Sequence, residues 1–164
     1  MQSSIIDLDS TDLRLLSLLQ QDASRSNQAL AEAAAVSPAT CLRRVKRLTE
    51  LGVIESQVAI LNPQAVGAGL CAIVELTLDR QGAEHLAAFE ARAVARAEVQ
   101  QCYRVSPGPD FVLVLQVADM PAYHLLVQQL FTQDANVRHV KAFFSVHRAK
   151  FSAQLPLPAA STRD

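Results

Sequence analysis

Arg43, Arg44, Lys46 and Arg47 fall within five consecutive positions, and the segment around them, SPATCLRRVKRLTELG (Ser37–Gly52), contains Glu50 as its one acid. The whole chain carries a formal charge of -1, so this basic excess is local and the remainder is net acidic. A guanidinium group can take guanine through O6 and N7 together. An ammonium group, a further guanidinium or a helix N-terminus serves phosphates. A second short stretch, SPGPD (Ser106, Pro107, Gly108, Pro109 and Asp110), has the chemistry for a small zwitterion. Gly108 permits close backbone approach, and free amides can take a carboxylate. Asp110 can hold an ammonium group, and Ser106 can bond to either end. The competing explanation of SPGPD is a hairpin turn in which Asp110 bonds its own backbone.

Other reactive residue types are present without a pattern. Cys41, Cys71 and Cys102 are odd in number and never at CxxC spacing, which argues against a disulfide framework or a zinc site. They read as small packing thiols. His85, His124, His139 and His147 are scattered, with no HExxH. Neither GxSxG nor a P-loop occurs, and carboxylates such as Glu75 and Asp110 are too isolated for acid and base roles. The expectation is no catalytic set, no metal, no cofactor and no enzyme activity.

The chain that must position these groups has 164 residues, 50% of them hydrophobic and 19% charged. That suffices for one sizeable core or two small ones. No apolar run reaches the roughly 18 residues of a membrane span, and MQSSIIDLD lacks a signal-peptide pattern. These readings place the chain in the cytoplasm, away from membranes.

Residues 1–52 read as helices. Asp9 or Ser10 caps the first, with Asp12 at its positive end and Leu15, Leu16 and Leu19 at helical spacing. A short alanine-rich helix follows from Gln28 to Ala34. Ala35, Val36 and Ser37 form a joint. Ser37 is a good N-cap and Pro38 a good first residue for the next helix, which Gly52 closes. On a wheel centred on Val45, Cys41, Leu42 and Leu48 fall within roughly 60°. Thr40, Arg43 and Arg47 lie opposite, Ala39 and Lys46 flank them, and Arg44 lies toward the edge. Two helices, a short joint, an apolar stripe and a basic outer face form a helix-turn-helix pattern, whose second helix enters the DNA major groove by its N-terminal residues. The candidate DNA-contacting set is Ser37, Ala39, Thr40, Arg43, Arg44, Lys46 and Arg47. A solvated basic face on a helical hairpin is the competing explanation.

From Val53 to Pro63 the sequence reads as a strand. Pro63, Gly67 and Gly69 make a linker, which puts a boundary near residue 63. Beyond it the order is β-α-β-β-α-β: an alternating strand from Leu70 to Leu78, a helix from Ala83 to Ala97, strands Val99–Val105 and Phe111–Val117, a helix capped by Asp119, and a long strand from Val137 to Phe151. This is the ferredoxin-like order, with two helices on one face of an antiparallel sheet. Phe111–Val117 reads as covered on both sides. The open face shows Ile73, Val112, Val114 and Phe143, which suggests burial against another subunit, with an ordinary exposed sheet face as the alternative. The resulting division is 1–52 helix-turn-helix, 53–69 strand and linker, 70–153 ferredoxin-like, and 154–164 a loose tail.

SPATCLRRVKRLTELGVI with a following strand and LNP resembles the Lrp/AsnC (feast/famine) transcription regulators of bacteria and archaea. LDSTDLRLLSLLQQDAS resembles that family's opening helix. VSPGPDFVLVLQVADMPAY resembles its loop-strand-helix segment, usually VSGDxDY followed by a strand and DMxxY. The resemblance covers about residues 8–151. It implies an α+β chain with an N-terminal winged-helix-like DNA-binding domain and a C-terminal ferredoxin-like domain for effector binding and oligomerisation. It also implies double-stranded DNA as partner, homodimers often assembled into octamers, and an amino acid or related small molecule bound near Ser106–Asp110. Here Pro107 and Gly108 replace the family's loop glycine and first acid, and Asp110 keeps the second. Ala35 stands where the family often has glycine in the joint. With positive φ there, alanine costs about 1 kcal/mol.

The leading expectation is therefore a sequence-specific, ligand-responsive DNA-binding regulator. One alternative is an amino-acid-sensing or protein-interaction module that no longer reads DNA, which the acidic Asp7, Asp9, Asp12 and Asp22 would suit. Another is an architectural DNA-binding protein without an effector.

Overall fold

Asp9 starts helix α1 (Ser10–Gln21) by accepting the Asp12 amide at 2.8 Å, while the Asp12 carboxylate reaches back to the Asp9 amide. This reciprocal cap satisfies two of the donors that a helix start leaves without partners. Ser26 caps α2 (Asn27–Ala33) through the Ala29 amide, and Ser37 caps α3 (Pro38–Glu50) through the Thr40 amide. The computed structural model describes residues 6–158. Among them, 6–59 with 150–158 form one compact unit and 60–149 a second.

Both ends of the α2 and α3 pair close alike. After α3, the Gly52 amide bonds to Thr49 O and the Val53 amide to Leu48 O, with Gly52 at φ +71°. After α2, the Ala35 amide bonds to Glu32 O and the Val36 amide to Ala31 O, with Ala35 at φ +56°. Two hydrogen bonds folded back around a left-handed residue reverse the chain at each helix end. Ala35 fills at the first a role that glycine fills at the second. Leu15, Leu30, Ala31, Ala34 and Cys41 form the buried cluster of this unit, with Val36 and Val45 against it.

The second unit is a four-stranded antiparallel sheet in the order β2-β3-β1-β4. Its strands are β1 (Leu70–Leu78), β2 (Val99–Arg104), β3 (Phe111–Val117) and β4 (Val137–Phe144); α4 (Ala83–Val94) and α5 (Met120–Val127) complete the ferredoxin-like order. Ala72, Val74, Leu76 and Leu78 of β1 alternate onto one face with Phe111, Leu113 and Leu115 of β3. Phe89 and Ala93 of α4 and Tyr123 and Leu126 of α5 close that core. The last turn of α5 widens into a π-helix over Gln128–Thr132, which adds the buried Leu130 and Phe131.

Several expectations need correction. Val53–Pro63 forms no strand. A strand needs a partner for its backbone groups, and none of the described residues pairs with it; Val58, Ile60 and Leu61 stay exposed. β4 stops at Phe144 rather than Phe151. Its ladder partner β1 runs out there, and the last backbone bond is Ser145 N to Cys71 O. Helix α4 ends at Val94, not Ala97. β3 is covered by the helices on one face, while Val112, Val114 and Gln116 on the other are half-buried. The tail, expected to be loose from residue 154, is engaged at its start. Gln20 pairs through its side-chain amide with both backbone groups of Leu155, and the Gln154 side chain donates to Gln20 O. No helix among the described residues is long and apolar enough to cross a membrane.

Candidate nucleic-acid interface

Helix α3 presents the basic segment. Cys41 and Leu48 are fully buried and Val45 half-buried, so the side facing the core is centred between them. At roughly 100° per residue, that centre lies about 50° from Val45 toward Arg44. Leu42, expected among the core residues, falls outside and is 61% exposed. Ala39, Arg43, Lys46 and Glu50 point most directly away from the core, and all four are exposed, as is Ser37. Thr40 is half-buried and accepts from the Ser37 hydroxyl at 2.9 Å. The Asn27 side chain donates to Pro38 O at 2.9 Å and ties the start of α2 to the start of α3. Arg14 of α1 reaches Ala34 O in the joint.

The four cations differ in surroundings. Arg44 Nη1 bonds to Asp9 Oδ2 at 2.6 Å and to Asp12 Oδ1 at 2.8 Å. Arg47 Nη1 bonds to Asp12 Oδ2 at 3.1 Å. Asp12 is 1% exposed, the one buried charged side chain among the described residues. Arg44 is only 23% exposed at its side chain and Arg47 44%. The Asp12 amide first, then Arg44, hold the Asp9 carboxyl below its ordinary pKa against some desolvation. Asp9 and then Asp12 push the Arg44 pKa up. Arg43 makes no ion pair among the described residues, and Lys46 has a loose one to Glu50 at 3.8 Å. Asp7, Asp9, Asp12, Arg43, Arg44 and Arg47 line an open depression of about 300 Å³. The sequence marks the basic residues, and it offers Asp9 and Asp12 as helix-start residues and as acids that suit a module without DNA reading, but not as ion-pair partners of Arg44 and Arg47. The ion pairs bridge 32 to 35 positions, a separation at which no local spacing rule applies.

In the second unit, Ser106, Pro107 and Gly108 are exposed, with Gly108 at φ +127°, a conformation that favours glycine. Asp110 Oδ2 accepts the Leu78 amide at 2.7 Å and the Gln81 side-chain amide at 3.2 Å, while the Asp110 amide donates to Leu76 O. Asp110 thus ties the loop to the end of β1. Cys41 is buried and Cys71 and Cys102 half-buried, all free. Burial pushes the thiols of Cys41 and Cys102 up, as suits neutral packing groups. No group of histidines, cysteines and acids among the described residues could hold a metal ion.

Two family descriptions match the chain: a winged helix-turn-helix DNA-binding domain over residues 8–55 and the Lrp/AsnC ligand-binding domain over residues 71–155. An uncharacterised HTH-type transcriptional regulator of Haemophilus influenzae is 36% identical over 87% of this chain and 85% of its own length. The leucine-responsive regulatory protein of Salmonella typhimurium is 34% identical over 91% of each chain. A transcriptional regulator of Neisseria meningitidis, solved as a complex with L-Met, superposes with a TM-score of 0.83 at 29% identity, covering 92% of this chain and 97% of its own. With a helix-turn-helix unit at one end and a ferredoxin-like unit at the other, both matched along most of their length, the chain belongs to the Lrp/AsnC family of transcriptional regulators.

Proposed function

We propose that the chain is a sequence-specific DNA-binding regulator whose outward α3 face reads the major groove and whose second unit takes an amino acid or a related small molecule. One observation carries the DNA reading: the stripe of Cys41, Val45 and Leu48 is turned inward, leaving Ala39, Arg43 and Lys46 exposed beyond a capped N-terminus. Small Ala39 lets the backbone approach base edges, and Arg43 has the reach and geometry for guanine. Ser37, Thr40 and Lys46 suit phosphate or flanking contacts. Arg44 and Arg47 act from the rim, each with one nitrogen already held by Asp12. Exposed Leu42 joins this face and suits a thymine methyl.

For the effector, the exposed Ser106–Gly108 turn offers backbone groups to a carboxylate, flanked by Pro109. Asp110 has one oxygen committed to Leu78 and Gln81, so its Oδ1 is the oxygen open to an ammonium group. The Salmonella relative is named leucine-responsive and the Neisseria structure contains L-Met, which supports an amino-acid ligand. Ile73, Tyr103 and Phe143 are 41%, 51% and 43% exposed on the open sheet face. Such a face suits a second copy of the chain, giving a homodimer that larger assemblies such as octamers can build on. The reading assigns no reaction and no cofactor, and a regulator of chromosomal genes works in the cytoplasm.

The test is selection of bound genomic fragments, with and without a mixture of amino acids, followed by binding titrations on the selected duplex. Selective enrichment that changes with the amino acids is the expected result. Absence of any duplex binding at low salt would instead favour a sensing module that does not read DNA. Enrichment indifferent to the whole amino-acid panel would favour an architectural DNA-binding protein.

A further inference from the structure

We infer that Asp12 of α1 is a positioning residue for the DNA-reading surface: its buried carboxylate fixes the guanidinium groups of Arg44 and Arg47 and so divides the four cations of α3 into a pair held by α1 and a pair that α1 does not hold. The inference rests on the DNA-binding reading above. Asp12 uses Oδ1 for Arg44 and Oδ2 for Arg47, so one side chain orients both arginines. It is almost wholly buried, at 1% exposure, and its own position is fixed by the reciprocal cap with Asp9. A buried, rigid acceptor holds a planar guanidinium in one orientation far better than a solvated one does. Arg44, with Nη1 shared between two carboxylates, becomes a strut under the helix. Arg47 is gripped at Nη1 alone and is 44% exposed, so its remaining donors are presented outward in a set direction.

Charge arithmetic gives the inference a signature. Asp9 and Asp12 together offset Arg44 and Arg47, which leaves Arg43, and Lys46 with only its loose, exposed pair to Glu50, as the cations α3 can bring to phosphates without breaking the buried pairs to α1. Binding should therefore depend on salt less steeply than four basic residues suggest, because each neutralised phosphate contributes about -0.9 to the log-log slope. Geometry held by Asp12 contributes discrimination between sequences; charge released from Asp12 would contribute affinity for any sequence.

The experiment compares full-length wild type, Asp12→Asn and Arg47→Lys by fluorescence anisotropy on the selected duplex and on a scrambled duplex, over a series of salt concentrations. Circular dichroism checks folding. For Asp12→Asn the expected result is a loss of about 10-fold in the selected-to-scrambled ratio, unchanged or tighter binding to the scrambled duplex, and a slope steeper by about one. A purely structural Asp12 would weaken both duplexes alike, with ratio and slope unchanged, and that result would overturn the inference. Should Asp12→Asn fail to fold, Arg47→Lys decides. It keeps the charge but loses the fork, so the ratio should fall about 10-fold at unchanged slope, whereas a retained ratio would overturn the inference. Wild type that binds no duplex would defeat the DNA-binding reading and the inference with it. Wild type that binds selectively beside variants indistinguishable from it would defeat the inference alone.

Discussion

The Val36 amide reaches back to the Ala31 carbonyl at 3.0 Å across a turn whose left-handed residue is Ala35, at φ +56°. The joint between α2 and α3 depends on that turn, because it sets where α3 begins. An L-residue in this conformation costs about 1–2 kcal/mol, and glycine gives back about 0.5–1 kcal/mol through its extra freedom in the unfolded chain. Ala35→Gly should therefore stabilise the first unit, by up to about 1.5 kcal/mol. A urea midpoint that rises at constant slope checks it; a lowered midpoint would contradict it.

Asp9 predicts an acid limb. Its folded pKa lies below the ordinary 3.8, so its contribution to stability is present above that value and is lost as pH falls through the folded pKa. Asparagine caps helices about as well as aspartate but carries no charge. Unfolding midpoints measured from about pH 5 down to about pH 2 should fall less steeply for Asp9→Asn than for wild type. Parallel curves would show that Asp9 contributes nothing to the acid limb.

Asp110 holds the loop to the end of β1 through the Leu78 amide. Asp110→Ala leaves that amide without its charged acceptor and should cost the second unit about 1–3 kcal/mol. Asp110→Asn, which keeps an acceptor, should cost less. Denaturant titrations of the two variants measure the difference, and an Asp110→Ala variant as stable as wild type would refute the tie.

Ile73 and Phe143 face each other across β1 and β4 on the open side of the sheet. If this face meets a second copy, Ile73→Lys buries an unpaired charge there, at about 3 kcal/mol or more. Self-association should weaken by about 100-fold or more. Light scattering over a dilution series reads this directly; unchanged mass at all concentrations would place the interface elsewhere.

Local signals made much of this legible in the sequence. Ser37 and Pro38 mark the start of α3 and Gly52 its end, because caps and left-handed turns demand particular residue types. Period-two alternation marks β1, and the continuous apolar run Phe111–Val117 marks β3, although it does not show that only the Leu113 and Leu115 side faces the helices. What escaped depends on partners distant in sequence. Leu42 sits at the same wheel distance from Val45 as Leu48, and only the direction in which α1 and α2 pack shows that the core lies on the Leu48 side. Val53–Pro63 has strand composition, yet composition supplies no neighbour. Val146 continues the apolar face of Val140, Ala142 and Phe144, but β1 is too short to pair with the segment beyond Ser145. The double duty of Asp12, as cap and as anchor for two arginines, requires knowing that α1 and α3 meet. SPGPD was open between ligand site and turn. The Asp110 side chain accepts from the Leu78 amide of β1, 32 positions away, and not from its own loop as a local turn would have it, and the exposed Ser106–Gly108 segment leaves room for a ligand.

The most direct measurement is the affinity of Arg43→Ala for the selected duplex, with Arg47→Ala beside it and folding verified by circular dichroism. Arg43 stands on the outermost line of α3 and makes no ion pair among the described residues. Loss of a guanine contact should weaken the selected duplex by about 1–3 kcal/mol, about 5- to 150-fold, with much less loss on a scrambled duplex. Two folded variants that bind the selected duplex as tightly as wild type would show that α3 does not read DNA with this face.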